Sequence, residues 1–177
     1  MMRFRLIICM LFLSPLMCQA QRYGARCNIA GLVSGNLNLE ASLAITDKLT
    51  LHLPLSWNPF APAENYKFKH IFIQPGTRWW LWHSYTELFI GFHGITGIYN
   101  IALKRSRYEG WGAGAGISCG YAWLLTPKWN IEAELGAGCL YSEYDKYQRI
   151  KCGEYEGNFK GFIYGPSRIS VSLMFIF

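Results

Sequence analysis

The chain has 177 residues, of which 51% are hydrophobic, 16% aromatic and only 16% charged. That much aromatic surface excludes a disordered chain, and the charge lies well below the ~25% of an ordinary soluble domain. Net charge is +6, but two of the 17 basic residues, Arg3 and Arg5, fall in a leader, leaving 15 against 11 acidic. An extreme-charge nucleic-acid binder is thereby excluded.

Residues 1–20 read as a secretory signal peptide. Arg3 and Arg5 form its positive start, Leu6 to Leu13 its apolar stretch, and Cys18-Gln19-Ala20 puts small residues at −3 and −1 of a cut after Ala20. The rival reading is a lipoprotein cut before Cys18, but Met17 is large where a small residue is required. Beyond the leader no apolar run reaches the ~18 residues of a spanning helix. The mature domain, 21–177, is therefore expected to be an exported β protein, either soluble or an outer-membrane barrel.

Period-two alternation runs through most of that domain. Leu37, Leu39, Ala41, Leu43 and Ile45 alternate with Asn38, Glu40, Ser42 and Ala44. Leu49, Leu51, Leu53, Leu55 and Trp57 alternate with Thr50, His52, Pro54 and Ser56. The stretches from Trp111, from Ile131 and from Ile169 repeat the pattern, with glycine, serine and glutamate on the even positions apart from Leu140, Met174 and Ile176. A helix cannot hold a period of two on one face, so these are strands. Eight are predicted, roughly 25–34, 36–45, 48–57, 68–80, 87–98, 110–123, 129–141 and 167–177.

Alternation alone does not say which face is outside. Three features point the apolar face outward. The polar face is rich in Gly and Ser, as a narrow interior requires. The lysines fall in or beside predicted turns and loops. The tryptophans fall at strand ends, Trp57 and Trp111 at one rim and Trp79, Trp80, Trp82, Trp123 and Trp129 at the other, as in the two aromatic girdles of a membrane barrel. Phe177, closing a run of apolar residues at every second position, completes the girdle and resembles the terminal signal read by outer-membrane assembly machinery. The expected fold is thus all-β, a closed antiparallel eight-stranded transmembrane up-and-down barrel. Its connections 58–67, 99–109 and 142–166 are long and face outward. The turns at Thr46-Asp47-Lys48, Leu81–Thr86 and Thr126-Pro127-Lys128 are short and periplasmic.

Four blocks in order, Lys69-His70-Ile71-Phe72-Ile73-Gln74-Pro75, Tyr108-Glu109-Gly110-Trp111-Gly112-Ala113-Gly114, Tyr121-Ala122-Trp123-Leu124-Leu125 and Tyr164-Gly165-Pro166-Ser167, occur with Tyr144-Asp145-Lys146-Tyr147. Over residues 36–177 the chain resembles a domain-of-unknown-function family of small Gram-negative outer-membrane proteins, often encoded near fimbrial subunits. The resemblance implies an outer-membrane β-barrel and no known activity. Members commonly carry an acidic residue where this chain has Gly76, and often a cysteine where it has Arg149. The resemblance therefore supports neither a lumen ion pair at 76 nor a cysteine pair with Cys152.

The inward polar set is Glu40, His52, Arg78, His93, Glu132, Glu134 and Arg168, with His70 a further candidate. An eight-stranded interior is only just wide enough for side chains, and buried charges must pair, so a charge-paired plug is expected rather than a relay or pore. A lipid-modifying barrel enzyme with a Ser–His–acid set is the alternative; His93 with Ser118 or Glu132 is the candidate pairing, and no Gly-x-Ser-x-Gly elbow is present. A soluble periplasmic barrel binding an apolar ligand is the third reading. No spacing of Cys and His matches a zinc site, and no cofactor is expected. Cys119 and Cys139 belong to the outward set, and the Pro127 turn puts them four positions out of register for a direct bridge. Lys104, Arg105, Arg107, Lys146, Arg149, Lys151 and Lys160, interleaved with tyrosines, are candidates for contact with lipopolysaccharide or a surface or fimbrial protein partner. The expected role is structural or surface-interacting, without catalysis.

Overall fold

The computed structural model describes residues 22–61, 67–103, 106–148 and 153–177. The expected signal peptide and its cut lie outside the described residues, as do Lys104, Arg105, Arg149, Lys151 and Cys152. The described chain is all-β apart from one short helix. In order it forms β1 (Tyr23–Asn28), α1 (Ile29–Val33), β2 (Leu37–Thr46), β3 (Leu49–Asn58), β4 (Phe68–Ile73), β5 (Gly76–Trp80), β6 (Glu87–Leu103), β7 (Ser106–Thr126), β8 (Trp129–Gln148) and β9 (Tyr155–Ile176). Every pairing is antiparallel, and because β1 bonds both β2 and β9 the sheet closes into a ring.

The expectation of eight strands is corrected to nine, for a local reason. The predicted strand 68–80 is cut at Gln74-Pro75 into β4 and β5, because proline has no N–H to give a ladder. The register does not slip across the cut. Leu55 pairs with Ile73 on one side of it and His52 with Gly76 on the other, as an unbroken stave would. The ring therefore has eight staves made from nine strands.

Two other expectations are corrected. The first predicted strand, 25–34, is strand only to Asn28. There the Asn38 side chain takes over the ladder: Asn28 N–H donates to Asn38 Oδ1, and Asn38 Nδ2 donates to Asn28 O at 3.0 Å. Asn28 Oδ1 in turn accepts from Gly31 N–H at 3.1 Å and starts α1. Most of the predicted loops 99–109 and 142–166 are strand, so β7, β8 and β9 run to 21, 20 and 22 residues.

The sequence hides the length of β9 behind a bulge. Gly136 pairs with Arg168 but Ala137 with Pro166, leaving Ser167 as the extra residue. A bulge puts two successive side chains on one face. Below it the even residues Arg168, Ser170 and Ser172 are buried and stand opposite even residues of β8; above it the even residues Phe162 and Tyr164 stand opposite the odd residues Tyr141 and Cys139. The alternation inverts, and the strand stops looking like one strand.

The burial pattern is that of a protein turned inside out. Among the described residues, 16 buried residues are polar or charged and nine are apolar, while Ile117 (64%) and Leu135 (60%) stand exposed. Trp57, Trp79, Trp111, Trp123, Trp129 and Phe177 all face outward. Trp57 and Trp111 lie in one hydrogen-bonded row, through Ile71 and Ile98. Trp80 does not belong to the rim where the sequence placed it; it is completely buried inside the ring.

Candidate functional site

The interior is stacked in layers along the axis. The lowest lies at the end bearing the short turns. Trp80 meets Phe89 (centroids 4.7 Å apart) and Tyr85 (5.9 Å, edge-on), and Met174 and Ile176 complete the floor. Each polar atom of the aromatics is satisfied, as burial demands. Trp80 Nε1 donates to Thr50 Oγ1 at 3.0 Å, and Tyr85 OH donates to Arg22 O at 3.1 Å. Tyr85 reaches the floor from the turn after β5 by taking a positive φ of 68°. That is a turn geometry, which alternation cannot reveal, and the sequence analysis missed it. Phe89 fits because Gly120 faces it: a Cβ at that position would come within 2.4 Å of its ring.

Above the floor lies a layer of buried charge. Arg26 is its hub. Its Nη2 stands 2.6 Å from Glu40 Oε2 and 3.0 Å from Glu134 Oε2, and its Nη1 donates to Glu132 Oε2 at 2.8 Å. Arg78 Nη2 donates to Glu134 Oε2 at 3.0 Å; its Nη1 lies 2.8 Å from Glu40 Oε1, an ion pair too bent to count as a hydrogen bond. Arg78 also sits over the Phe89 ring, 5.0 Å from its centroid. Arg168 Nη1 donates to Glu134 Oε1 at 3.0 Å and to His52 Nε2 at 3.2 Å, and Ser118 Oγ donates to Glu134 Oε1 at 2.7 Å. Three arginines thus meet three glutamates, and the layer is neutral. Gly91 leaves the space for it, since a Cβ there would strike Ser118 Oγ at 2.3 Å.

Six of the seven residues expected in the lumen network are joined here: Glu40, His52, Arg78, Glu132, Glu134 and Arg168. His93 stands one level higher. It does not pair with Ser118 or Glu132 as the sequence suggested; its Nε2 lies 3.0 Å from Ser167 Oγ, the bulge residue of β9. No carboxylate reaches His93 Nδ1, which has no hydrogen-bond partner among the described residues. His70 lies outside the charged layer, with its Nε2 3.3 Å from Ser56 Oγ. Within the charged layer, the residue missed by the sequence analysis is Arg26. The signal was available, because Gly24, Arg26 and Asn28 share one face of β1, but the predicted strand 25–34 ran on without a clear period.

Above the charged layer the interior widens into a cavity of about 510 Å³, lined by Arg168, Gln74, Ser170, His70 and Phe72 among others. Gln74 Oε1 accepts from Arg168 Nη2 at 3.1 Å and holds that arginine at the cavity floor. Three cations of the long-strand end pair with acids: Lys146 with Glu156 at 2.6 Å, Lys160 with Glu143 at 2.8 Å, and Arg107 with Glu109 at 3.4 Å. The hydrogen bond Glu156 accepts holds the Lys146 ammonium above its ordinary pKa. Among the described residues no group of His, Cys, Asp or Glu could hold a metal ion. Cys27, Cys119 and Cys139 are free; Cys119 stands opposite Leu135, and Cys139 opposite Ala115.

A single antiparallel sheet closed on itself, with arginine–glutamate pairs on its axis and apolar side chains outside, defines the class: an inside-out all-β protein with a filled centre. The chain belongs to DUF3575, a family of proteins of unknown function, whose model matches residues 6–177. No curated protein and no solved structure matches it.

Proposed function

We propose that the protein is a small outer-membrane β-barrel, exported by residues 1–20, with a structural or surface-interaction role. The observation that carries this reading is the inverted burial. Leucine, isoleucine and tryptophan form an outward band, while arginine and glutamate fill the core. In water such a band would expose a large contiguous apolar surface, a liability for a monomer; against acyl chains it is the stable arrangement. From Gly24 to Asn28, β1 bonds both β2 and β9, so over that span the ring has no open sheet edge, as hydrocarbon favours.

The filled interior supports a scaffold rather than a channel. The aromatic floor and the charge layer both cross the axis, so neither water nor ions have a continuous path through the layers described. The N- and C-terminal strands lock together, Phe177 N–H donating to Tyr23 O at 2.9 Å, which presents the terminal aromatic residue to outer-membrane lipid. On the opposite end β7, β8 and β9 project as a ribbon bearing Tyr108, Tyr144, Tyr147 and Tyr155 among paired charges. That ribbon is where lipopolysaccharide or a surface or fimbrial protein partner would be met.

The test is membrane fractionation of the full chain in a Gram-negative host, with boiled and unboiled samples compared on a gel. The expected result is recovery with the outer membrane, and a folded form whose mobility changes on boiling. Recovery in solution without detergent would overturn the proposal.

A further inference from the structure

The ring is incomplete at one place. β1 bonds β9 only from Gly24–Ile176 to Asn28–Ser172. Above Ser172, β9 continues to Tyr155 with no strand on that edge among the described residues. The chain that would have supplied the stave coils into α1, held to β9 by a long contact from Asn28 Nδ2 to Ile169 O at 3.5 Å. A five-residue helix cannot satisfy a strand edge of that length, so the wall between β2 and β9 has a lateral gap.

The cavity above the charge layer opens toward that gap. Its boundary includes Asn38 and Leu39 on the β2 side and Ile169 and Ser170 on the β9 side. Its volume, about 510 Å³, falls in the range of small-molecule sites. Two properties restrict what it would hold. The three arginines and three glutamates beneath it balance, so the floor offers no net charge to an ion. One polar group is left over: Ser170 Oγ, on a residue only 5% exposed, has no hydrogen-bond partner among the described residues. A ligand hydroxyl or amide would supply the missing hydrogen bond. The outer mouth is apolar, with Leu39 and Ile169 exposed at it.

We propose that this cavity binds a neutral amphiphile, with a hydroxyl- or amide-bearing head against Ser170 and an alkyl chain leaving sideways between β2 and β9 into the bilayer. The proposal rests on the membrane reading above, because only hydrocarbon outside the gap would receive the chain.

The test uses the full mature chain in nanodiscs with n-octyl-β-D-glucoside, below its micelle concentration, as the probe, followed through backbone amide NMR shifts. Saturable shifts at Asn38 and Ser170 are expected. Methyl glucoside, which has the head without the chain, should bind at least about tenfold more weakly, since even two buried methylenes exceed 1.4 kcal/mol. Octyl sulfate, with the chain on an anionic head, should also be weaker. Gly165→Trp should abolish the shifts: Gly165 borders the cavity, and a Cβ there meets nothing within 4 Å, so the indole has room to fill it. Ser170→Ala is the second variant, in case the first does not fold, and should weaken binding. Shifts that never saturate, that survive both variants, or that are equal for methyl glucoside or octyl sulfate would overturn the proposal. A failure of the membrane reading would appear separately, as a protein recovered in solution during fractionation.

Discussion

Arg26 and Glu40 face each other across the first hairpin, and Arg26 Nη2 lies 2.6 Å from Glu40 Oε2. The same guanidinium reaches Glu132 and Glu134, more than a hundred residues away in sequence. One side chain therefore ties the beginning of the chain to the strand beside its end, and the energetic consequences differ for each partner removed.

Arg26→Ala leaves Glu132 with Arg78 alone, at 3.8 Å. Breaking a buried pair by deleting one member costs about 3–5 kcal/mol, because the other charge stays buried without compensation. Urea unfolding of the refolded protein in lipid vesicles, followed by tryptophan fluorescence, should show a loss of that size. Glu132→Ala combined with Glu134→Ala should also destabilise the ring, by leaving Arg168 without its carboxylate and Arg26 and Arg78 with Glu40 alone. Unchanged midpoints for both variants would show that the charged layer does not hold the interior together.

The aromatic floor makes a separate prediction. Trp80→Ala removes a completely buried indole and strands Thr50 Oγ1. Cavity formation at such a site costs about 3–5 kcal/mol. The charge layer still crosses the axis above it, so planar-bilayer recordings of wild type and variant should both lack unitary current steps. Discrete steps in the wild type would mean that the layered interior is not closed.

The glycines of the ring divide by what faces them. At Gly114 a Cβ would come within 2.1 Å of the Cys139 carbonyl oxygen, which belongs to the backbone and cannot move aside. At Gly161 a Cβ meets nothing within 4 Å. Gly114→Ala should lower stability by about 1–3 kcal/mol, the usual cost of overpacking, while Gly161→Ala leaves the unfolding midpoint in place. Equal effects would contradict the difference in packing.

Ser167 separates the contribution of its side chain from that of its backbone. Ser167→Ala loses one hydrogen bond to His93, worth about 0.5–1.5 kcal/mol, and should still give the heat-modifiable folded band. Deleting Ser167 removes the extra residue, so Gly136–Arg168 runs evenly into Ala137–Pro166, and Phe162 and Tyr164 keep their partners Tyr141 and Cys139. That variant should still give the folded band on an unboiled gel. Loss of the band would show that the bulge itself, and not only the register, is needed to close the ring.

Much of the ring was legible in the chain. Eight staves, the turns at Asp47 and Pro127, and six members of the charged layer follow from alternation, because a strand's two faces are a local property of its own residues; the outward direction of the apolar face came from the small residues opposite it and from the placement of lysine and tryptophan. The failures also have local causes. Gln74-Pro75 splits a stave without changing register, Asn28 starts a helix where the pattern was too weak to show one, and Tyr85 enters the interior from a turn. Trp80 looked like a rim residue because it adjoins Trp79, but neighbours on a strand point to opposite sides.

By itself the sequence determined that the protein is a β structure with one apolar and one small, polar face, since period two is written residue by residue. Only the tertiary structure decided which arginine meets which glutamate, where β9 inverts at Ser167, and that a helix stands in for a strand after Asn28. Those outcomes depend on register between strands distant in the chain, and a shift of a single residue in that register exchanges inside for outside.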